Sequence, residues 1–287
     1  MIPAPVRVSH EQIAEAIAEP GKAWYPPTDE QRRIIEAPLA PALVVAGAGS
    51  GKTHTMMLRI LWLIANEGVD PREILGLTFT RKAAGELRER VETGLHRLRE
   101  KGLVELDEFD LPEVSTYNSF ANTIYRQYAL LVGREPDAVL LDEPGAVALM
   151  REVVLDSDDE DLRALERANL ATITATALKV ARAMRENRRS SAEVLEFIAR
   201  FADEWERLPG KRIQEATKYL VRVDELRPYA RLADEFERRK RARGFVEFSD
   251  QVATAAEIIE RDPSIAAEVR AQARVVILDE YQDTSVA

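Results

Sequence analysis

The residues best suited to chemistry lie in one glycine-rich segment, residues 46–53. In order, the segment contains Ala46, Gly47, Ala48, Gly49, Ser50, Gly51, Lys52 and Thr53. Glycines let the backbone turn tightly and aim N–H groups at a polyphosphate, Lys52 supplies a mobile cation, and Thr53 offers a hydroxyl to Mg²⁺. The spacing predicts the phosphate-binding loop of a nucleotide hydrolase. The alternative is a chance glycine-rich turn, since Ala46 stands where the usual pattern has Gly.

Two carboxylates form the second candidate site. Asp279 and Glu280 directly follow the apolar run 275–278. Open α/β sheets bind ligands at the carboxyl ends of their strands, so we expect Asp279 to hold Mg²⁺ near Thr53. Glu280 would polarise the attacking water as a general base or an orienter. The alternative is a strand with an incidentally acidic exit, and the phosphate-binding loop argues against it.

Alternating strands and helices must position these two segments. Apolar runs predict strands at residues 43–46, 74–79, 113–116 and 274–280. Periodicity and capping signals predict helices at residues 9–18, 28–35, 56–65, 83–100, 119–131 and 245–260. Thr28 is the predicted N-cap of the second helix, with Gln31 as its capping-box partner. Such alternation is typical of a parallel sheet with right-handed crossovers.

The middle of the chain follows another pattern. From about residue 142 to 243 it is helical, heavily charged and without a convincing strand. We therefore predict an α/β fold of the P-loop NTPase (RecA-like) type, a parallel sheet with an inserted all-α domain. The predicted domains are 1–134 and 245–287, two segments of the ATP-binding lobe, with 135–244 inserted. The basic run 238–243 is either an edge facing DNA or, more commonly for charge runs, a solvated helix end.

Composition excludes several classes of protein. The 287 residues include no cysteine and only three histidines, so disulfides, thiolate metal sites and a zinc centre are excluded. No segment reaches the roughly 18–20 apolar residues of a membrane span, and the N-terminus lacks a secretion signal, so we expect a cytoplasmic protein without membrane contact. A net charge of −10 argues against nucleic acid by itself, but binding depends on local patches.

Five motifs in order resemble those of superfamily 1 helicases of the UvrD/Rep/PcrA type. Residues 279–284 (Asp-Glu-Tyr-Gln-Asp-Thr) resemble motif II, and residues 78–84 (Thr-Phe-Thr-Arg-Lys-Ala-Ala) resemble motif Ia. Residues 115–120 (Ser-Thr-Tyr-Asn-Ser-Phe) resemble the next DNA-facing motif. Gln31 resembles the adenine-reading glutamine that precedes the phosphate-binding loop. Residues 247–250 also resemble the segment that follows the inserted domain of the family.

The resemblance implies an ATP-dependent DNA helicase that moves 3′ to 5′ and serves DNA repair or recombination. ATP and Mg²⁺ are the implied cofactors. Gln31 would bind the adenine edge, and Gln282 would link the nucleotide to the DNA side. His54 stands near the nucleotide, where many relatives have Arg, so an extra arginine on the nucleotide is not expected here.

The same resemblance implies contacts with single-stranded DNA and with duplex–single-strand junctions. The implied DNA-binding residues are Phe79, Thr80, Arg81, Lys82, Tyr117 and Asn118. Base stacking on Phe79 needs no sequence preference; the alternative is an ordinary core residue. Arg81 and Lys82 would contact phosphates or merely begin a solvated helix. The family usually has Phe-His in place of Tyr117-Asn118, so that contact differs in detail.

Residues 77–84 and the Ser-Thr-Tyr tripeptide at 115–117 most resemble the AdnB-type subunit of bacterial helicase–nucleases. This resemblance implies a partner subunit. The family also has a second motor lobe that supplies arginines to the γ-phosphate, worth roughly 10³–10⁵ in rate for nucleotide hydrolases. We expect this chain to be the first lobe with its inserted domain, binding Mg-ATP weakly and not unwinding DNA. The competing interpretations are a P-loop ATPase switch in DNA repair and a structural subunit with a vestigial motor.

Overall fold

The computed structural model describes residues 7–18, 26–47, 49–165, 169–208 and 214–284. The chain forms two compact units. The first comprises Met1–Phe120 and Pro263–Thr284, and the second comprises Ala121–Asp262. No helix among the described residues is long and apolar enough to cross a membrane.

The first unit combines helices with a parallel sheet. Its helices are α1 (His10–Ile17), α2 (Asp29–Ile35), α3 (Lys52–Glu67), α4 (Arg81–Glu100), the start of α5 (Tyr117–Tyr128) and, after the second unit, a helix at Pro263–Gln272. Its strands are β1 (Ile74–Thr78), β2 (Glu113–Thr116) and a strand at Val275–Leu278. Short 3₁₀ turns lie at Pro71–Glu73 and Tyr281–Asp283.

The second unit is mostly helical. After the rest of α5 and a 3₁₀ turn at Ala129–Val132, it contains β3 (Val139–Leu140), α6 (Glu143–Leu155), α7 (Glu160–Arg163), α8 (Leu170–Glu186), α9 (Ser191–Arg207), α10 (Gln214–Asp224), α11 (Leu226–Ala242), β4 (Phe245–Val246) and α12 (Phe248–Arg261). The later helix and strand of the first unit are therefore α13 and β5. The two-residue strands β3 and β4 pair in parallel immediately before and after helices α6 to α11.

The sheet of the first unit has the order β2-β1-β5, and both pairings are parallel. Every residue of β1 is buried, as a central strand requires. The apolar run of β5 is typical of a buried strand, but Val276 and Leu278 are exposed. Among the described residues β5 pairs only with β1, so it is an edge strand with one open side.

The prediction of a strand at residues 43–46 is wrong. No strand is present there, and Leu43 and Val45 are 75% and 89% exposed. A strand exists only where a neighbour accepts and donates its backbone hydrogen bonds. Among the described residues no strand lies along residues 43–46, so apolar composition alone does not order this segment as β structure.

Local signals explain the helices around the sheet. Thr28 and Gln31 form the predicted capping box of α2. Helix α4 begins one turn after β1 because the Thr80 side chain accepts from the Ala83 amide, at 3.1 Å. One face of α4 is apolar at helical spacing and is buried in the core of the unit: Leu87, Val91, Leu95 and Leu98.

Most basic side chains of the run 238–243 form ion pairs with carboxylates. Arg238 contacts Glu235 through two nitrogens, and Arg239 and Arg243 both reach Glu152. Lys240 is only 1% exposed and contacts the Asp250 and Glu247 carboxylates at 2.7 and 3.0 Å. These contacts favour a structural role for the run over an edge that faces DNA.

Candidate nucleotide-binding site

The glycine-rich segment forms an open loop that leads into α3. Gly49 and Gly51 have φ of +77° and +82°, a left-handed backbone that non-glycine residues rarely adopt. Ser50 donates from Oγ to the Gly47 carbonyl at 2.8 Å. Ala46 and Gly47 lead into the loop without regular structure, and Ala48 lies outside the described residues.

Helix α3 presents an uncapped N-terminus to this loop. Its N-cap is Gly51, and no side chain accepts a hydrogen bond from the first turn, which contains Lys52, Thr53 and His54. Uncapped first-turn N–H groups and the helix dipole together attract an anion. Desolvation lowers the pKa of His54, and the nearby Arg90 charge lowers it further. The loop and the start of α3 therefore have the features of an anion-binding site, in which the lowered pKa of His54 favours its neutral form.

Lys52 and Glu280 meet across the site. The Lys52 Nζ atom lies 3.6 Å from Glu280 Oε1, and each side chain is about one-third exposed, at 35% and 38%. A hydrogen bond from Gln282 and the Lys52 charge hold the pKa of Glu280 below its usual value. The structure thus brings the loop lysine to a carboxylate that follows β5, while the predicted closeness of Asp279 and Thr53 stays a prediction.

Asp279 is fixed by the sheet. Its amide donates to the Leu77 carbonyl at 2.8 Å, which extends the β1–β5 ladder to the last residue before Glu280. Burial raises the pKa of Asp279, and the adjacent Glu280 charge raises it further. Glu280 itself has a φ of +50°. A left-handed glutamate is uncommon, and such conformations cluster at functional sites.

Asp279 and Thr53, the predicted Mg²⁺ ligands, both offer oxygen atoms of the kind that Mg²⁺ binds. Among the described residues no three His, Cys, Asp or Glu side chains form a metal-binding group. An ion here would depend on few protein oxygens, from Asp279 and Thr53, together with phosphate oxygens. Mg²⁺ prefers such sites, because it is usually bound by one or two carboxylates and substrate phosphates.

Gln31 lies at the edge of the loop. Its Nε2 donates to the Ser50 carbonyl at 3.0 Å, and its Oε1 accepts from the Thr28 amide at 3.0 Å. A Cβ atom at Gly51 would lie 3.1 Å from Gln31 Nε2, so the glycine also leaves room for this amide. The predicted role of Gln31 as a helix cap is confirmed, and its predicted contact with the adenine edge stays a prediction.

The predicted DNA-binding residues follow the ends of β1 and β2. Phe79 is 55% exposed, which excludes the alternative that it is a core residue. Thr80, Arg81 and Lys82 are exposed at the start of α4, and Asn118 is exposed in the first turn of α5. The carboxyl ends of adjacent parallel strands thus present one aromatic ring and several polar groups to solvent.

Two contacts were missed by the sequence analysis. The Tyr117 hydroxyl donates to the Asp279 carbonyl at 3.0 Å, so the predicted DNA-contact residue also touches the backbone of the predicted Mg²⁺ ligand. Arg59, on α3, donates to the Ile35 and Pro38 carbonyls at 2.7 and 3.2 Å. An arginine two helical turns after Lys52, within a mostly apolar helix, was the available signal for the second contact.

Comparison with known proteins identifies relatives. Residues 27–287 match the family described as UvrD/REP helicase N-terminal domain. A segment of 67 residues is 51% identical to DNA helicase II of Haemophilus influenzae, covering 23% of this chain and 9% of that protein. A segment of 62 residues is 52% identical to the ATP-dependent DNA helicase UvrD1 of Mycobacterium tuberculosis, covering 22% and 8%. The matched segments thus span less than a tenth of these relatives.

Proposed function

Because the chain belongs to the UvrD/REP helicase N-terminal domain family, we propose that it is the ATP-binding part of a DNA helicase. ATP hydrolysis would drive movement along a single strand. The contact between Lys52 and Glu280 carries the proposal, because it joins a phosphate-binding loop to a strand-end carboxylate pair. This is the arrangement that nucleotide hydrolysis requires.

The ATP site works by exchange of partners at Lys52. The loop amides and the start of α3 hold the phosphates, and Lys52 leaves Glu280 for a γ-phosphate oxygen. Glu280, no longer paired with Lys52, gains basicity and orients the attacking water. Thr53 and Asp279 would hold Mg²⁺, which would supply charge neutralisation. Gln31 binds the adenine edge, and Gln282, which donates to Glu280, relays the state of the site.

Single-stranded DNA binds at the ends of β1 and β2. The exposed Phe79 ring stacks on a base, and the polar groups around it contact the sugar-phosphate backbone: Thr80, Arg81, Lys82, Tyr117 and Asn118. An overall charge of −10 does not oppose this, because the proposed contact surface carries Arg81 and Lys82. A duplex–single-strand junction is the corresponding substrate.

The finer parts of the proposal rest on the resemblance of the motifs. They are 3′-to-5′ movement, a role in repair or recombination, an AdnB-type identity with a helicase–nuclease partner, and a cytoplasmic location. We also propose that α6 to α11 form the inserted domain predicted at residues 135–244. Because a second lobe would supply further arginines, these 287 residues alone should hydrolyse ATP slowly and leave duplex DNA intact.

Mg-ATP binding to the 287-residue chain tests the nucleotide site. Lys52→Ala should reduce the affinity at least tenfold, because a charge-assisted contact with phosphate is lost. Lys101→Ala is the control, since Lys101 is an exposed C-cap of α4. Equal affinities of the two variants for Mg-ATP would reject the site.

Binding of a labelled oligothymidylate tests the DNA surface. Phe79→Ala should weaken binding by about 1–3 kcal/mol if one base stacks on the ring. Phe109→Ala is the matched control, because Phe109 is also an exposed phenylalanine of the first unit but lies away from the strand ends, in the 107–111 segment. Equal losses in both variants would mean that Phe79 is not the stacking residue.

A further inference from the structure

The C-terminal end of α2 is held by side chains from two other helices. The Arg59 guanidinium of α3 donates to the Ile35 carbonyl and, beyond the helix, to the Pro38 carbonyl. The His10 imidazole of α1 lies with Nδ1 2.7 Å from Glu36 Oε1, at the C-cap of α2. These contacts satisfy backbone and side-chain acceptors at the last turn of α2.

Gln31 lies near the other end of the same helix. Helix α2 has seven residues, so it is about 10 Å long and moves as one rigid rod. A shift or rotation at Ile35 is therefore transmitted to Gln31. At the N-terminal end, only the capping box with Thr28 and the bond to the Ser50 carbonyl hold Gln31 among the contacts described above.

Helix α1 is anchored independently of α2. Ile13 is fully buried in the core of the first unit. The buried Asn66 side chain of α3 accepts from the Arg7 and Val8 amides at 2.8 and 2.9 Å and donates to the Val8 carbonyl. His10 is thus presented to Glu36 from a fixed support. Helix α1 also precedes residues 27–287, the part that matches the family.

We propose that His10 and Arg59 are positioning residues for base selection. They hold α2 so that the Gln31 amide stays beside the nucleotide loop, and α1 is an accessory element that sets the preference for adenine. This inference rests on the proposed role of Gln31 in the ATP site. An amide that reads a base edge discriminates only while its donor and acceptor are held in register, whereas Lys52 is carried by α3 and does not read the base.

The test separates base recognition from phosphate recognition. In the 287-residue chain, affinities for Mg-ATP, Mg-GTP and Mg-tripolyphosphate are measured by competition against a fluorescent ATP analogue. His10→Ala and Arg59→Met should each reduce the preference for ATP over GTP roughly three- to tenfold, the value of about one hydrogen bond. Affinity for tripolyphosphate, which has no base, should stay within about twofold of wild type because Lys52 is untouched.

Matched variants exclude a general loss of structure. His96→Ala removes another histidine that pairs with a glutamate, Glu100 on α4, and Arg261→Met removes an exposed arginine that pairs with Glu257. Neither should change the preference. His10→Asn, which can retain a nitrogen donor near the position of Nδ1, should restore most of it. In a Gln31→Ala background, His10→Ala should have no further effect on the preference, since both act through one side chain.

Three outcomes distinguish a failure of this inference from a failure of the proposed function. If ATP and tripolyphosphate weaken together and the ATP:GTP ratio is unchanged, His10 and Arg59 are merely structural and the inference fails alone. If wild type binds tripolyphosphate through Lys52 but does not prefer ATP to GTP, the roles of Gln31, His10 and Arg59 all fail while the phosphate site stands. If Lys52→Ala does not weaken any of the three ligands, the proposed function fails as well.

Discussion

The Tyr117 hydroxyl joins one of the proposed DNA-binding residues to the backbone of Asp279, the proposed Mg²⁺ ligand. It donates to the Asp279 carbonyl, and burial together with the Asp279 charge raises the pKa of Tyr117. The phenol therefore remains protonated and continues to donate at physiological pH. The hydroxyl thus forms a polar link between the segments that follow β2 and β5, the two strands on either side of β1.

Tyr117→Phe tests whether this link couples DNA and nucleotide. The ring is retained and the hydroxyl hydrogen is already donated to the Asp279 carbonyl, so affinity for oligothymidylate should stay within about twofold of wild type. The factor by which the oligonucleotide changes Mg-ATP affinity should fall toward one, because coupling is a free energy carried by contacts that differ between states. Tyr125→Phe removes a hydroxyl that donates to the Glu135 carbonyl in the second unit, and it should leave the factor unchanged. An unaltered factor in Tyr117→Phe would argue against the link.

We expect the ionised Asp279 side chain to lower the free energy of unfolding, although it is the proposed Mg²⁺ ligand. Its pKa is raised in the folded protein, mainly by burial. Above that raised value the folded state carries a poorly solvated charge that the unfolded chain hydrates fully; below about pH 4 the group is protonated in both states. Asp279→Asn should therefore raise the melting temperature at pH 7, lose this advantage near pH 3, and weaken Mg²⁺ binding. Thermal unfolding of wild type and Asp279→Asn at pH 7 and pH 3 tests this prediction. Glu108→Gln is the control, because Glu108 is exposed.

Helix α4 offers two glycines whose surroundings are opposite. A Cβ atom at Gly85 would meet nothing within 4 Å, whereas a Cβ at Gly94 would lie 2.8 Å from Leu61 Cδ1. Leu61 is fully buried in α3, so it has little room to move. Gly94 is therefore the position at which α4 approaches α3 closely.

Substitution by alanine should change the free energy of unfolding in opposite directions at the two positions. Gly85→Ala should stabilise the protein by roughly 0.5–1 kcal/mol, because alanine loses less backbone entropy in a helix. Gly94→Ala should destabilise it by about 1–3 kcal/mol through overpacking against Leu61. Urea denaturation of both variants checks the prediction, which fails if the two free energies of unfolding change in the same direction.

Elements with local signals were predictable from the sequence. The capping box of Thr28 and Gln31 defines the start of α2, and the apolar face of α4 follows from its spacing. The strand expected at residues 43–46 was wrong because strand formation depends on a neighbour that no local pattern specifies. Within the site, the meeting of Lys52 and Glu280 follows from motif logic. The contacts of Tyr117 and Arg59 could not be predicted in this way. A hydrogen bond from a hydroxyl or guanidinium group to a backbone carbonyl produces no periodic pattern in the sequence.

At the scale of the whole molecule, the charged side chains differ in how deeply they are buried. The second unit buries a cationic centre: Lys240 contacts Asp250, Glu247 and Glu237, while Arg185 also reaches Asp250. Burial alone would lower the pKa of Lys240, but the surrounding carboxylates raise it. Burial alone would raise the pKa of Asp250, but Lys240 lowers it. The group is therefore ionised and joins α8, α11 and the start of α12 in one network.

Lys240→Met should destabilise the second unit by about 3–5 kcal/mol, because it leaves buried carboxylates without their central cation. Arg238→Met, on the same helix but exposed and paired with Glu235, should cost no more than about 1 kcal/mol. Because the pKa of Asp250 is lowered, its contribution to wild-type stability is present above about pH 4 and is lost as the pH falls through the depressed folded value. Urea unfolding between pH 7 and pH 3 measures both effects. Equal losses in the two variants would contradict a buried role.

The contact between Lys52 and Glu280 also bears on product release. A lysine that already has a carboxylate partner can exchange it for a phosphate oxygen and later take it back, without passing through a state in which the cation is unpaired. If the site hydrolyses ATP as proposed, departure of inorganic phosphate would be assisted by an internal competitor that is tethered and therefore present at high effective concentration. The same competition would weaken the hold of the site on free phosphate.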